Sequence, residues 1–297
     1  MSSISPTAMP PQLFDAHVHV VGADATKYPR HGPSLPNGAW WEDEDASVEV
    51  FQRRTEDAAI VGVALVQATG TYGADNSYLV DALAREGTND QPVLVGVGVV
   101  DPTAPDAIDH LTRLVDHGIR GIRLFHIPTP TPPWLDRPEA DALVDAAADL
   151  GCVINICIQN HDFGLVAHHL DRRPDVTFTL DHCGFPELSD GPPFADAEPL
   201  WKLAEHENLH VKFSPTLAAL ASFDASSDDD AAELVLAAVA DHFGPDRVML
   251  GTDWPQHREP GLSYAGQVDR MIRWTAAWSD ADRTSMLAAN TAKLFGL

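Results

Sequence analysis

Four side chains of this sequence have the types and spacing to do chemistry together. His17 and His19 stand two residues apart in Leu13-Phe14-Asp15-Ala16-His17-Val18-His19-Val20. Side chains of an extended strand repeat every second residue, so both imidazoles face one side. Far along the chain, the apolar run Val248-Met249-Leu250 continues through Gly251 and Thr252 to Asp253, and a third run, Val176 to Leu180, is followed by Asp181 and His182. Three imidazoles and one carboxylate suit two kinds of hydrolytic chemistry. His17, His19, His182 and Asp253 could hold one divalent ion, Zn²⁺ or Mn²⁺, and lower the pKa of a bound water. With no metal, Asp253 could take a proton from water while the histidines polarise a carbonyl oxygen. The residues leave both open.

Further candidates surround this set. Arg123 lies toward the end of the run Ile119 to Phe125, where a guanidinium can grip a substrate carboxylate through two parallel hydrogen bonds or else pair with a carboxylate of the barrel. Gln67, Thr69, Thr71 and Gln159 follow apolar runs and would offer neutral hydrogen bonds to a substrate. Tyr28, Arg30, Trp40 and Trp41 belong to a long loop over 20–46, which either covers the mouth of the site or is pinned by its tryptophans to the rim. His257, four residues past Asp253, is a candidate substrate contact, and His161 lies beside Gln159.

Positioning these groups requires a scaffold that brings many strand ends to one place. Apolar runs begin at Leu13, Ile60, Val93, Ile119, Cys152, Val176, Leu209 and Val248, and between them lie segments of helical spacing. Ser47 caps one helix. Leu79, Val80 and Leu83 share a face of the next, and Ile108, Leu111, Leu114 and Val115 a face of another that closes at Gly118. A helix follows from Pro138 to Leu150, and the segment from Ser279 to Phe295 reads as a final docking helix. Eight strands alternating with helices predict an α/β fold with a parallel sheet closed into a (β/α)8 TIM barrel. An open doubly wound sheet is the alternative, but it would separate the first strand from the last. In a barrel the chemistry sits at the C-terminal strand ends, which here carry His17, His19, Gln67, Thr69, Arg123, Gln159, His182 and Asp253.

The composition limits the function. The chain has 297 residues, 44% of them hydrophobic, enough for one barrel domain over 12–297 behind a flexible leader over 1–11. A formal charge of −25 argues against nucleic acid and anionic membranes as partners and leaves a small-molecule substrate. So acidic a surface also suits a halophilic host. Three cysteines, all in or beside apolar runs, read as reduced thiols of a cytoplasmic protein. The Pro-rich N-terminus has no signal-peptide pattern, and no apolar stretch has the length of a membrane span. Nothing in the sequence sets the oligomeric state.

The motifs Asp15-Ala16-His17-Val18-His19, Val66-Gln67-Ala68-Thr69 with Gly73-Ala74-Asp75-Asn76, Gly118 to Arg123, Asp181-His182-Cys183-Gly184, Gly251-Thr252-Asp253-Trp254-Pro255 and Asn290 to Phe295 together resemble the amidohydrolase superfamily. Within it they are similar to the amidohydrolase-related group that includes pyrone dicarboxylate and sugar lactonases. The resemblance spans nearly the whole chain. It implies a distorted barrel in which Asp253 activates the hydrolytic water on a lactone or similar cyclic ester. It also implies at most one metal, because the fourth strand offers no Lys or Glu at its end and the fifth ends in Gln159 instead of His. The group contains both metal-independent lactonases and metal-dependent decarboxylases of aromatic acids, the latter being the alternative activity. Few basic residues follow Arg123 and Lys212, so one carboxylate or a neutral sugar lactone is expected in place of a dicarboxylate.

Overall fold

The computed structural model describes residues 11–32, 45–85, 91–127, 134–256 and 261–297. Trp40, Trp41, His257 and all but the end of the expected leader lie outside these residues. Eight strands form one parallel sheet in sequential order: β1 (Leu13–Val18), β2 (Ile60–Val66), β3 (Val93–Val99), β4 (Ile119–His126), β5 (Val153–Ile158), β6 (Phe178–Leu180), β7 (Leu209–Phe213) and β8 (Val248–Leu250). Helices connect and surround them, as the alternating pattern requires. The helix over Val48–Thr55 is capped by Ser47, and Gly118, with φ of 92°, takes the left-handed turn that ends the helix before β4.

Closure between β1 and β8 is made past the short β8 ladder. Asp253 N donates to His17 O at 2.8 Å, and His19 N to Trp254 O at 2.8 Å. Gly251 makes the approach possible, because a Cβ there would stand 2.8 Å from the backbone nitrogen of His17. The buried Asp15 carboxylate completes the seam, accepting from Thr252 N at 2.8 Å, Thr252 Oγ1 at 2.6 Å and Tyr264 OH at 2.9 Å. These bonds join the first and last strands, which an open doubly wound sheet would leave apart.

Two apolar layers pack the fold. The larger lies between sheet and helices, while a smaller cluster of Phe14, Ala64, Val66, Val95, Val97, Val153 and Phe295 fills the barrel floor. The expected C-terminal helix runs without a break from Asp280 to Leu294, with a π-helical turn over Ser285–Ala289 between the α-helical stretches Asp280–Thr284 and Asn290–Leu294. The Asn290 amide donates to Pro245 O and Val248 O at 2.8 and 2.7 Å, which docks this segment below β8 and brings Phe295 under the barrel.

Candidate active site

A bulge in β1 aims the first two histidines. Asp15 pairs with Val63 and Val18 with Leu65, so three steps along β1 match two along β2. Phe14 packs on the barrel floor while Asp15 turns outward to Thr252 and Tyr264. Strict alternation would send His17 outward with Asp15; the extra residue returns it to the interior, with His19 two residues on. Backbone strain aims the other two groups. His182 and Asp253 have φ of 53° and 55°, left-handed values that cost a residue with a Cβ roughly 1–3 kcal/mol and gather where function demands them.

The four groups converge at the C-terminal end of the barrel, each no more than 3% exposed. Asp253 Oδ1 lies 3.8 Å from His17 Nε2 and 3.6 Å from His19 Nε2, and Oδ2 lies 4.0 Å from His182 Nε2. Thr216 Oγ1 donates to Oδ2 at 3.2 Å. All three histidines are therefore held through Nδ1 and present Nε2. His19 Nδ1 meets Val66 O at 2.8 Å, His182 Nδ1 meets Ser214 Oγ at 2.8 Å, and His17 Nδ1 is 3.4 Å from Asp181 Oδ1, an ion-pair contact too poorly aligned for a good hydrogen bond.

The electrostatics follow from this burial. Desolvation drives His19 down to about 3, helped by Arg123, and drives His17 well below its ordinary range against the pull of Asp181. Both rings are neutral at pH 7. Burial lifts the Asp253 carboxyl to about 7, with Arg123 and the Thr216 hydrogen bond opposing. Asp181 is equally buried, yet Lys212, His17 and Arg123 overcome desolvation and hold it well below the usual carboxylate range.

These protonation states test the site as a metal site. The Val66 carbonyl can only accept, so the proton of the neutral His19 ring sits on Nδ1 and leaves an electron pair on Nε2, and the Asp181 carboxylate beside His17 Nδ1 favours the same tautomer there. The Nε2 atoms of His17 and His19 are 3.2 Å apart, and Asp253 Oδ1 has no hydrogen-bond partner among the described residues. Two donors about 2.0–2.1 Å from a tetrahedral Zn²⁺ would be about 3.3 Å apart. The donor set thus fits one divalent cation.

Behind the histidines lies a second polar layer. Asp181 Oδ2 accepts from Arg123 Nε at 2.8 Å, and Oδ1 is 3.0 Å from Lys212 Nζ. Lys212 donates to Asn155 Oδ1 at 2.7 Å, where Thr179 Oγ1 also donates at 2.8 Å. Arg123 is thus in the ion pair with a barrel carboxylate that was the alternative to gripping substrate. Among the described residues its two Nη groups make no hydrogen bond. Asp181, Lys212, Asn155, Ser214 and Thr216 were not singled out from the sequence as site residues. Asn155 carried a signal as the lone polar residue in the otherwise apolar run that becomes β5, and Lys212 as a charged residue between Val211 and Phe213 in β7, where each needs a buried partner.

The other candidates sit differently. Gln67 Nε2 donates to Gly73 O and Asp75 O at 3.0 and 2.8 Å, and Thr69 Oγ1 donates to Gln67 Oε1 at 3.1 Å, so these two side chains brace the turn after β2. Tyr28 OH donates to Asp81 at 2.5 Å and its ring packs on Tyr78. Thr71 Oγ1 is buried without a partner among the described residues. Gln159 is half-buried one residue past β5, and His161 is exposed beside Asp162. Cys152, Cys157 and Cys183 are free and buried.

The chain is also similar to proteins of known structure or activity. The chain is 29% identical over 259 residues to a 2-pyrone-4,6-dicarboxylate hydrolase of Comamonas testosteroni, an alignment covering 83% of this chain and 78% of that one. It is 27% identical to an L-fucono-1,5-lactonase of Burkholderia ambifaria over 203 residues, spanning 67% of this chain and 66% of the lactonase. In structure it resembles an amidohydrolase of Burkholderia multivorans solved with bound zinc, with a TM-score of 0.75 at 23% identity, covering 96% and 99% of the two chains. A family model described as Amidohydrolase matches residues 14–297, nearly the whole barrel, and the chain belongs to that family.

Proposed function

We propose that the chain is a hydrolase that opens a lactone or similar cyclic ester by water activated at Asp253. One observation carries the reading: a buried carboxylate, lifted to about 7, faces two neutral histidines whose electron pairs converge on its Oδ1. Ionised Asp253 takes a proton from the water that attacks the ring carbonyl, and Thr216 holds the plane of its carboxylate. His182 faces the side on which the carbonyl oxygen gains charge, and the Nη edge of Arg123 meets one acidic or hydroxylated group of the substrate. A single Zn²⁺ or Mn²⁺ would be held by His17, His19 and Asp253, whose facing atoms lie 3.2 to 3.8 Å apart, with His182 within reach of His17 and Asp253, and would supply Lewis-acid polarisation and a more acidic water. The named lactone hydrolases among the relatives support the reaction class. Three free thiols support a reducing, cytoplasmic setting.

The test is metal content of protein purified without added metal or chelator, paired with hydrolysis of a panel of sugar lactones and pyrone carboxylates before and after chelation. The expected outcome is ring opening of at least one lactone. Decarboxylation of an aromatic acid, with no member of the panel opened by metal-loaded or chelated protein, would overturn it.

A further inference from the structure

The three histidines differ in what holds their Nδ1 atoms. For His19 it is a backbone carbonyl and for His17 a carboxylate, both of which can only accept. For His182 it is the hydroxyl of Ser214, which can donate or accept. Ser214 is fully buried, and among the described residues its hydroxyl has no other partner. If His182 donated from Nδ1, the Ser214 proton would be buried with nothing to accept it. If the hydroxyl donates instead, both groups are satisfied.

The setting of Ser214 points the same way. It is the N-cap residue of the helix Pro215–Leu220, a position where a serine oxygen ordinarily accepts from the first turn, yet it makes no capping bond. The hydroxyl is turned onto His182.

We propose that Ser214 is a positioning residue, donating to His182 Nδ1 and holding that ring as the Nε2–H tautomer. This rests on the reading of the site as hydrolytic for its catalytic consequence, though not for the tautomer itself. The cluster then divides. His17, His19 and Asp253 Oδ1 present electron pairs suited to a cation, whereas His182 presents a proton toward the pocket, 4.0 Å from Asp253 Oδ2, suited to a substrate carbonyl oxygen. His182 is accordingly a hydrogen-bond donor and not a metal ligand, although a nitrogen of its ring lies within 4.8 Å of His17 and Asp253.

The experiment is two-bond ¹H–¹⁵N NMR of ¹⁵N-histidine-labelled full-length protein, chelated and zinc-loaded, with His182 assigned by its loss in His182→Gln. The expected result is a pyrrole-type Nε2 and a pyridine-type Nδ1 in both states, with Ser214→Ala losing that preference and Ser214→Thr keeping it. Zinc affinity of Ser214→Ala, from competition with a chromophoric chelator, should not fall. With any lactone that is turned over, kcat of Ser214→Ala should fall roughly 10- to 100-fold with KM little changed, and Ser214→Thr should recover most of it. An Nδ1–H tautomer in the wild-type protein overturns the proposal, whether or not a lactone substrate is found. A tautomer unaltered by Ser214→Ala overturns it as well.

Discussion

The floor and the mouth of this barrel are built on opposite principles only one side-chain layer apart. On β5, Val153 packs into the apolar floor with Phe14 and Phe295, while Asn155, two residues on and about 7 Å higher, bonds Lys212 and Thr179. Below, burial itself is the stabilising term. Above it, Arg123, Asp181, Lys212 and Asp253 are all at most 4% exposed and opposed by desolvation; the first three persist as charges because each has a partner, whereas the carboxyl of Asp253 is lifted to about 7. The lesson is a division of labour, with the floor holding the strands together so that the mouth can carry groups which stability alone would not select.

The largest expected effect that would sharpen this contrast is on rate. Asp253→Asn should lower lactone turnover by about 10³-fold or more with circular dichroism unchanged, and retained turnover would remove Asp253 from the reaction. Next comes Asp181→Asn, which leaves Arg123 and Lys212 buried against a neutral amide. Denaturant unfolding should show a loss of about 3–5 kcal/mol, and a loss below about 1 kcal/mol would mean the network is not held by charge pairing. Phe295→Ala tests the floor. It should cost about 3 kcal/mol while leaving kcat/KM at 25 °C within about twofold, and a parallel collapse of activity would show that floor and mouth are not separable.

A pH effect follows in size. In chelated protein the folded pKa of Asp253, about 7, lies above its ordinary 3.8, so its contribution to stability is complete below 3.8 and lost as pH rises through 7. Asp253→Asn should therefore gain on the wild type between pH 5 and 8 by roughly 1–3 kcal/mol. A difference that stays flat over that range would place the carboxyl near its ordinary value. The smallest effect concerns the surface. With a formal charge of −25, stability should rise by about 1 kcal/mol between dilute buffer and 1 M KCl, and no rise would count against adaptation to salt.

The fold was legible because parallel strands covered on both faces must be apolar runs, and the starts read from sequence fall within two residues of the strands observed. His17, His19, His182 and Asp253 were legible because each ends such a run. Gln67 and Thr69 looked alike in sequence, at the same kind of strand end, yet they brace their own turn, since a backbone carbonyl six or eight residues away is invisible until the chain bends.

What the sequence alone determined is therefore periodic, terminal or compositional: eight strands, their alternation with helices, a formal charge of −25, and polar groups at strand ends. Only the tertiary structure decided what depends on distance between remote segments. The bulge that turns His17 inward exists as a register between β1 and β2, and the closure through Gly251 as a contact between the two ends of the chain. The pairing of Asp181 with Arg123 and Lys212, and of Ser214 with His182, joins residues 58, 31 and 32 positions apart. No local propensity encodes such pairs. They form because folding removes the water that would otherwise satisfy each group and leaves only the partner brought beside it.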